Sequence, residues 1–523
     1  MSKATTVSAG RREARARQGE ASIMDDSIRS STFESGIGFL LILVAAKILF
    51  HTLTNNEYGF HRDELATLDD ARHLAWGYVA YPPVTPFFGR ISLELFGTSL
   101  RGFRFFAVLA GAVAVFVTGL TARELGGKRF AQAVAAVAVA FSPLGLASSR
   151  VMQYVAFDYL AWVLLAYAVV RLLNSDDPRW WLAIGAVIGF GMMTKFTMIF
   201  FVAGVVSGVL LTAARRQLRS PWLWCGVAVS LAVFLPNLIW QIQHSFISID
   251  FLTSIHARDI RIGRTDNFLA TQLLTGAGLF AIPLAVAGFV WLFTSHGKRY
   301  RLLAWMFIVP LVLFTIAKGR NYYQAPAYPM LFAAGAVWLE RWRSVVTRGI
   351  TWTALAANAV FGIAFLVPVA PVGSALWKSA NNMSDDFREE IGWPELVKTV
   401  ADIRDSLPQE DRAHLGVMAG NYGEAGAIDL YGGDFGLPQA ISGINSFWLR
   451  GYGDPAPQNL IVIGLSKSFL EGAFESCNLA GHITNSYGVV NEETSRHQDV
   501  FVCRRLRQPK TSWWRLVSSF TTP

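Results

Sequence analysis

The chain is poor in charged residues and in cysteine. Only 16% of its 523 residues are charged whereas 53% are hydrophobic, and the mean hydropathy is +0.36. This balance exceeds what a soluble globular protein normally carries. The three cysteines show no metal-ligand spacing. The sequence also lacks low-complexity tracts and an inverted repeat of apolar segments, which argues against a repeat-built transporter.

The basic residues exceed the acidic ones, giving a formal net charge of +9. Such an excess raises the question of a nucleic-acid partner. The basic residues, however, occur in short clusters between apolar runs and not along one face. We interpret them as signals of membrane topology and expect no nucleic-acid partner.

Long apolar runs recur along the chain, and roughly 20 helical residues are enough to cross the hydrocarbon core of a bilayer. We therefore predict a polytopic α-helical membrane protein with about eleven transmembrane helices. The predicted spans lie near residues 36–53, 103–122, 130–148, 155–173, 180–194, 196–213, 221–240, 268–294, 301–317, 325–340 and 350–370.

The basic clusters all fall on one side of this arrangement, which the positive-inside rule identifies as cytoplasmic. They are the N-terminal tail, Arg123/Lys128/Arg129, Arg171/Arg179, Arg215/Arg216/Arg219, Lys298/Arg299/Arg301 and Arg341/Arg343/Arg348. We expect a multi-pass protein of the plasma (inner) membrane with a cytoplasmic N-terminus and no cleaved signal peptide. Everything after about residue 371 is expected outside.

Three regions are predicted. Residues 1–35 form a disordered cytoplasmic tail, residues 36–372 a transmembrane domain with a long first outer loop at 54–102, and residues 373–523 an extracytoplasmic α/β domain. Because the last region would fold in an oxidising compartment, a disulfide between Cys477 and Cys503 and two free thiols are both open at this point.

Two adjacent acids, Asp63 and Glu64, lie in the first outer loop about a dozen residues beyond the first span. The residues that follow them have apolar side chains at helical spacing, which predicts a helix lying along the membrane interface. The segment alone is equally compatible with a solvated acidic loop.

Asp158 stands near the outer end of the fourth span, and Lys195 lies at the outer turn between the fifth and sixth. An ionisable group among apolar residues costs about 2.5 to 3.5 kcal/mol at the bilayer centre and less near its ends, so both are functional candidates. A snorkelling or capping side chain is the alternative for each.

A last polar cluster places Lys318, Arg320, Tyr322 and Tyr323 on the outer side. Positive charge there runs against the topology rule and requires an anion, for which a lipid phosphate at the headgroup level is suited. Anchoring by the interfacial aromatic belt is the alternative. Acids that activate an acceptor and cations that hold a departing phosphate, gathered on one face, favour an active site for sugar-phosphate transfer.

Several stretches resemble the family 39 glycosyltransferases, the protein O-mannosyltransferase-like and aminoarabinose-transferase-like enzymes of the GT-C class, and the chain looks like a bacterial member. They are YGFHRDEL, ARHLAWGY with the paired Pro82-Pro83, GTSLRGFR, ARELGGKRFAQ, LPNLIWQIQHSF, KGRNYYQAPAYP and NYGEAGAIDLYGG. The resemblance implies that residues 36–372 are a GT-C catalytic domain. It also implies transfer of a monosaccharide from a polyprenyl-phosphate sugar to a cell-envelope acceptor, with inversion, at the outer face of the membrane.

By the same resemblance Asp63 is the catalytic base, Glu64 completes the acidic pair and Asp158 is the second acid. Lys318 with Tyr322 or Tyr323 matches the lipid-phosphate region, and we expect Lys195 and Arg320 to assist there. His244 is a weaker match, in a loop that would contact the acceptor or donor.

The sequence departs from many relatives at Ala66-Thr67 and Ala80-Tyr81, where they have tyrosines and an Asp-His pair. This argues against a metal site, and no cofactor is expected to be required because the lipid phosphate is already a good leaving group. Two other functions stay open, a polyprenyl-lipid flippase or transporter and a catalytically inactive relative that binds glycans.

Overall fold

The computed structural model describes residues 36–453 and 456–507 together with Trp514. The predicted disordered tail, residues 1–35, lies outside the described residues. The first sixteen α-helices are α1 (Gly36–Thr54), α2 (Arg62–Arg72), α3 (Val84–Phe96), α4 (Leu100–Glu124), α5 (Arg129–Ala140), α6 (Pro143–Ala147), α7 (Tyr154–Ser175), α8 (Trp180–Met192), α9 (Met198–Leu211), α10 (Pro221–Gln243), α11 (Ile247–Arg261), α12 (Phe268–Ala277), α13 (Ile282–Trp291), α14 (Arg301–Ile316), α15 (Tyr328–Arg341) and α16 (Val345–Leu366).

Every predicted span contains helix. Within the described part of the chain, six helices are long and apolar enough to cross a membrane alone, or up to eight when two bent pairs are each taken as one span. The six are α1, α4, α7, α10, α16 and the helix that includes α14 (Lys298–Ile316). α5 and α8 are apolar but shorter. The total of eleven spans therefore stays a prediction.

The apolar run at 268–294 is predicted as one span, and the structure divides it into two helices at a bend. α12 and the helix after it meet at an angle of 90°. The break is at Gly278, whose φ of +78° is rarely adopted by residues with a side chain, and a Cβ there would lie 2.4 Å from Asn358 Oδ1. The hydropathy of the sequence does not reveal this bend, because a glycine does not interrupt an apolar run.

The helices differ in how far they are enclosed. α4 and α7 are the most buried of the long apolar helices, with 67% and 72% of their most apolar window inside the protein, whereas α1, α10 and α16 are mostly exposed. Small residues bring the inner helices close together: a Cβ on Gly288 of α13 would lie 1.9 Å from the Leu331 carbonyl of α15. α4 and α7 thus form the centre of the bundle and support the loops at one of its ends.

α2 and α3 make up most of loop 54–102. α2 begins with a capping box, in which the His61 side chain accepts from the Asp63 N–H while the Glu64 carboxylate accepts from the His61 N–H. Leu65, Leu68 and the other residues from Glu64 to Ala71 are buried. α2 is therefore covered by protein and does not lie open along an interface.

The C-terminal region (residues 373–523) contains helices and a five-stranded sheet. Its helices are α17 (Ala375–Met383), α18 (Trp393–Ser406), α19 (Gln409–Arg412), α20 (Tyr422–Tyr431), α21 (Asn445–Arg450), α22 (Lys467–Ala473) and α23 (Glu492–Ser495), and its strands are β1 (Leu415–Ala419), β2 (Ala440–Ser442), β3 (Asn459–Ile463), β4 (Phe474–His482) and β5 (Asp499–Leu506). The strand order is β2-β1-β3-β5-β4. β1 runs parallel to β2 and β3, whereas β5 is antiparallel to β3 and β4.

Cys477 and Cys503 lie directly opposite each other on β4 and β5 and form a disulfide. The alternative left open by the sequence is thus resolved in favour of the bond. Cys225 is free and exposed.

The predicted boundary at residue 372 does not separate two hydrophobic cores. Leu65 and Leu68 of α2 belong to the same buried cluster as Trp393, Val400 and Ile428 of the C-terminal region. Loop 54–102 therefore lies between the helical bundle and the C-terminal region, where α2 packs on α20.

Candidate active site

Asp63 lies where three parts of the chain meet. Its carboxylate accepts hydrogen bonds from Gln153 Nε2 at 2.5 Å and from Tyr422 Oη at 2.7 Å. Gln153 is the N-cap residue of α7, and Tyr422 is the first residue of α20. The side chain is partly exposed. The start of α2 therefore places one accessible carboxylate, that of Asp63, between the bundle and the C-terminal region.

Glu64 has a different environment from its neighbour. Its side chain is fully buried and accepts from Arg104 Nε at 2.9 Å, from the Met152 N–H at 2.8 Å and from the His61 N–H at 2.9 Å. Burial alone would raise the pKa of Glu64, but the Arg104 charge and these hydrogen bonds hold that pKa below its usual value. The carboxylate thus binds neighbouring structure through both oxygens, and its predicted catalytic role stays untested.

Lys195 is enclosed by aromatic rings and one acid. Its Nζ lies 5.1, 4.9 and 4.1 Å from the ring centroids of Tyr154, Tyr322 and Tyr323, a set that we call the tyrosine cage. The same Nζ lies 4.0 Å from Asp158 Oδ2. Cation–π attraction and this ion pair can hold a charged ammonium in a largely buried position. Two of the predicted site residues, one acid and one cation, are therefore neighbours.

α7 connects this cage with Asp63. Gln153, which binds the Asp63 carboxylate, directly precedes Tyr154 of the cage. Asp158 follows one helical turn after Tyr154, and its Oδ1 accepts from Trp162 Nε1 at 3.0 Å. The start of α7 therefore sets the positions of Asp63, Asp158 and Lys195 relative to one another.

Arg320 adjoins the cage, and its Nε donates to Asp259 Oδ2 of α11 at 2.6 Å. Burial raises the pKa of Tyr322, but the charges of Lys195 and Arg320 outweigh it and lower that pKa. Lys318 is exposed, and among the described residues its side chain has no hydrogen bond or ion pair. The structure therefore brings Lys195, Arg320 and the tyrosines together and leaves Lys318 outside this group.

His244 ends α10, where its Nδ1 donates to the Trp240 carbonyl at 2.8 Å and its ring stacks on Trp240 at 4.0 Å. Within the described part of the chain it makes no hydrogen bond to Asp63 or Asp158. Its predicted loop role remains untested.

Comparisons with known proteins find glycosyltransferases. Residues 80–240 match the family described as dolichyl-phosphate-mannose-protein mannosyltransferase. The chain is 27% identical over 380 residues to the lipid A galacturonosyltransferase RgtD of Rhizobium johnstonii, covering 65% of this chain and 76% of that protein. It is 24% identical over 229 residues to the lipopolysaccharide core galacturonosyltransferase RgtB of the same organism, covering 43% of this chain and 45% of that protein.

The fold is also found in solved structures. The crystal structure of ArnT from Cupriavidus metallidurans bound to undecaprenyl phosphate matches with a TM-score of 0.59 and 15% identity, over 89% of this chain and 98% of ArnT. The apo state of ArnT gives a TM-score of 0.60 and 16% identity over the same shares. By these matches the chain resembles the GT-C glycosyltransferases of the family 39 type. It is accordingly a multi-pass membrane protein.

The sequence does not indicate that C-terminal residues pack against loop 54–102. Arg450 forms ion pairs with Asp69 and, at 2.6 Å, with Asp70 Oδ1, whose other oxygen accepts from Tyr81 Oη at 2.7 Å. Burial raises the pKa of Asp70 to about 6, although the charge of Arg450 acts to lower it. In the sequence, Asp69 and Asp70 are marked only as a second pair of adjacent acids on α2. No sequence pattern marks Arg450, 380 residues from Asp70, as their partner.

One acidic cluster of the protein has oxygens close enough for a metal ion. Among the described residues, Glu389, Glu492 and Glu493 form the group of His, Cys, Asp or Glu side chains whose ligand atoms lie within 4.8 Å of one another. Arg62 lies among them and pairs with Glu492 and, at 3.0 Å, with Glu389. Since the guanidinium already supplies positive charge, we describe this as the Arg62 acid cluster and not as a metal centre.

Proposed function

We propose that the protein transfers a monosaccharide from a polyprenyl-phosphate sugar to an acceptor of the cell envelope, with inversion at the anomeric carbon, on the outer face of the plasma membrane. The observation that carries this proposal is that Asp63 and the tyrosine cage around Lys195 both contact the start of α7. A proton acceptor and a phosphate-binding group are the two components that such a transfer requires.

The similar proteins support the substrate class. RgtD and RgtB are named for transfer of galacturonosyl groups to lipid A and to lipopolysaccharide core, and one ArnT structure holds undecaprenyl phosphate. A lipid or glycan of the envelope is therefore the first acceptor to test. A galacturonosyl group is the first sugar to test.

Asp63 acts as the general base in this proposal. The acceptor oxygen or nitrogen attacks the anomeric carbon from the side opposite the phosphate and passes its proton to the Asp63 carboxylate. The bond between that carbon and the phosphate oxygen breaks at the same time, and the electron pair leaves with the lipid phosphate. Gln153 and Tyr422 each bind one carboxylate oxygen, which limits its rotation and aims the remaining lone pairs.

The cations stabilise the leaving phosphate. Lys195 and Arg320 supply positive charge and Tyr322 supplies a hydroxyl, whereas Lys318 reaches the phosphate only from the exposed side. Asp158 holds the Lys195 ammonium and orients the acceptor or stabilises the sugar as positive charge develops on its ring. No metal or other cofactor is required, because the lipid phosphate departs as a stable anion.

Purified protein given radiolabelled polyprenyl-phosphate sugar and cell-envelope fractions, without nucleotide sugar, tests the function directly. Transfer of label to envelope material supports the proposal. If the label stays on the lipid while the lipid crosses the bilayer of a reconstituted vesicle, the protein is a flippase and the proposal is wrong. An Asp63→Asn preparation serves as the matched negative control.

A further inference from the structure

α1 carries a buried polar stripe although most of this helix is exposed. Lys47 and His51 of α1 and Asn55, the residue directly after its end, recur at four-residue spacing and are 5%, 0% and 1% exposed. Among the described residues Lys47 forms no ion pair with a carboxylate. An ionisable group inside a membrane helix is costly and is a functional candidate by default.

The stripe forms a hydrogen-bond chain with a definite direction. Lys47 Nζ donates to the Gly145 carbonyl at 2.8 Å and lies 3.3 Å from His51 Nε2. Because an amide oxygen can only accept, Nδ1 of the neutral imidazole carries the proton that faces Asn55 Oδ1 at 3.4 Å, and Nε2 accepts from Lys47. Asn55 Nδ2 then donates to the Ser149 carbonyl at 2.9 Å.

The hydrogen-bond network continues from α1 to Glu64 of the acidic pair Asp63–Glu64. Arg104 Nη1 donates to the Asn55 carbonyl at 2.8 Å, and Arg104 also binds Glu64. Glu64 in turn accepts from the Met152 N–H at 2.8 Å. The segment 145–152 is thus held at its beginning, middle and end by one connected network.

This segment leads directly into the candidate active site. The next residue is Gln153, which donates to the Asp63 carboxylate. A shift of segment 145–152 would therefore move the group that orients the proposed base.

We propose that Lys47 and His51 are positioning residues for the transfer reaction. They fix segment 145–152 through the carbonyls of Gly145 and Ser149 and thereby set Gln153 against Asp63. The inference rests on the proposed function for its effect on turnover, whereas the effect on the segment itself is independent of it.

Two substitutions of Lys47 separate the hydrogen bond from the volume of the side chain. Lys47→Met keeps a similar length and removes the donor, whereas Lys47→Gln keeps an N–H donor without charge. We expect Lys47→Met to lower kcat by about 10- to 10²-fold with the donor KM unchanged, the scale of a small misplacement of reacting groups. Lys47→Gln should recover most of this loss. Thr118→Val is the control, because that hydroxyl bonds the Ala114 carbonyl of its own helix.

A double-mutant cycle with Gln153→Ala tests the route. If Lys47 acts through Gln153, Lys47→Met should lower kcat far less in the Gln153→Ala background than in the wild-type enzyme. Losses that multiply in the double variant would overturn the proposal, as would full activity of Lys47→Met.

Hydrogen exchange measured by mass spectrometry provides a readout without activity. In Lys47→Met, amides of residues 145–153 should exchange faster while the rest of the helical bundle exchanges as in the wild type. Unchanged exchange in this segment, or faster exchange throughout together with a lower unfolding temperature, would overturn the positioning role. Absence of transfer by the wild-type protein would instead overturn the proposed function and leave the exchange result interpretable.

Discussion

Tyr422 Oη donates a hydrogen bond of 2.7 Å to Asp63 Oδ1, which joins residues 359 positions apart. The Arg62 guanidinium lies over the same tyrosine ring, 5.3 Å from its centroid. The proposed base is therefore oriented by the C-terminal region as well as by the helical bundle. Neither part holds this carboxylate by itself.

Asp63→Asn should abolish most turnover and leave donor binding intact. The amide keeps the size of the carboxylate, but it replaces one oxygen with an NH2 group and does not accept a proton as a carboxylate does. We expect a loss in kcat of about 10² to 10⁴, the range for general acid–base catalysis. Single-turnover kinetics and binding of a labelled donor measure the two effects separately.

The variant must first show the unfolding temperature of the wild type in detergent. A folded and fully active Asp63→Asn protein would remove Asp63 from the mechanism. Asp158 would then be the acid to test, since both Glu64 oxygens are already bound by Arg104 and by the N–H groups of His61 and Met152.

Lys195 and Lys318 should differ in their effect on donor affinity. Lys195 is enclosed by the tyrosine cage beside Asp158, whereas Lys318 is exposed. We expect Lys195→Met to weaken donor binding by about 10-fold or more, the scale of a lost charge-assisted hydrogen bond, and Lys318→Met to weaken it less. Titration of both variants with a polyprenyl-phosphate ligand checks this order, and the reverse order would place the phosphate outside the cage.

Glu64→Gln should affect stability more than chemistry. Its carboxylate and Arg104 are both fully buried, and removing one partner of a buried pair costs about 3 to 5 kcal/mol when the remaining charge has no other partner. Because Glu390 lies 3.5 Å from Arg104 Nη2 and retains part of the charge balance, we expect a cost at or below the lower end of this range. We expect a clear drop in unfolding temperature relative to Asp63→Asn, which replaces a partly exposed side chain. If Glu64→Gln is as stable as the wild type but inactive, Glu64 has the catalytic role that the family resemblance implies.

Local properties of the sequence predicted the helices well. Hydropathy is summed over neighbouring residues, and each of the eleven apolar runs contains helix, although 130–148 and 268–294 are each divided into two helices. The same averaging concealed Lys47 and His51, since one charge in a strongly apolar window hardly changes the mean. It also joined α12 to α13, because the bend depends on the backbone conformation of Gly278.

The sequence predicts part of the candidate site, because it places residues along helices but does not reveal contacts between distant segments. Asp158 and Lys195 were placed on the same face by counting spans, and the structure brings their charged atoms to 4.0 Å. The partners of Asp63 and Asp70 could not be predicted, because Tyr422 and Arg450 meet them only through packing of the C-terminal region on α2. Such contacts leave no periodic pattern in the sequence.

The topology of the termini is a prediction from charge alone. Reporter fusions at residues 128, 217, 299 and 345 should all indicate the cytoplasm, because basic clusters are retained there. A fusion near residue 450 should indicate the outside. If that last fusion reports the cytoplasm, the outer active site is wrong even if transfer activity is found.

Glu493 should make the protein less stable as the pH rises. Burial, together with the neighbouring acids, raises the pKa of Glu493 to about 8 despite the charge of Arg62, and the carboxyl is only 3% exposed. In the unfolded chain this group titrates near its ordinary value of 4.5. Between these two pH values the folded state binds the proton and the unfolded state does not, so stability falls as the pH rises toward 8.

Glu493→Gln mimics the protonated acid at every pH. We therefore expect the variant to unfold at a temperature higher than the wild type by about 2 °C or more at pH 8, with the difference becoming smaller toward pH 5. Glu471→Gln is the control, since its side chain is 59% exposed and pairs only at the surface with Lys467. If Glu493→Gln is instead less stable than the wild type at pH 8, Glu493 is ionised in the folded state. The Arg62 acid cluster would then hold more positive charge than Arg62 provides.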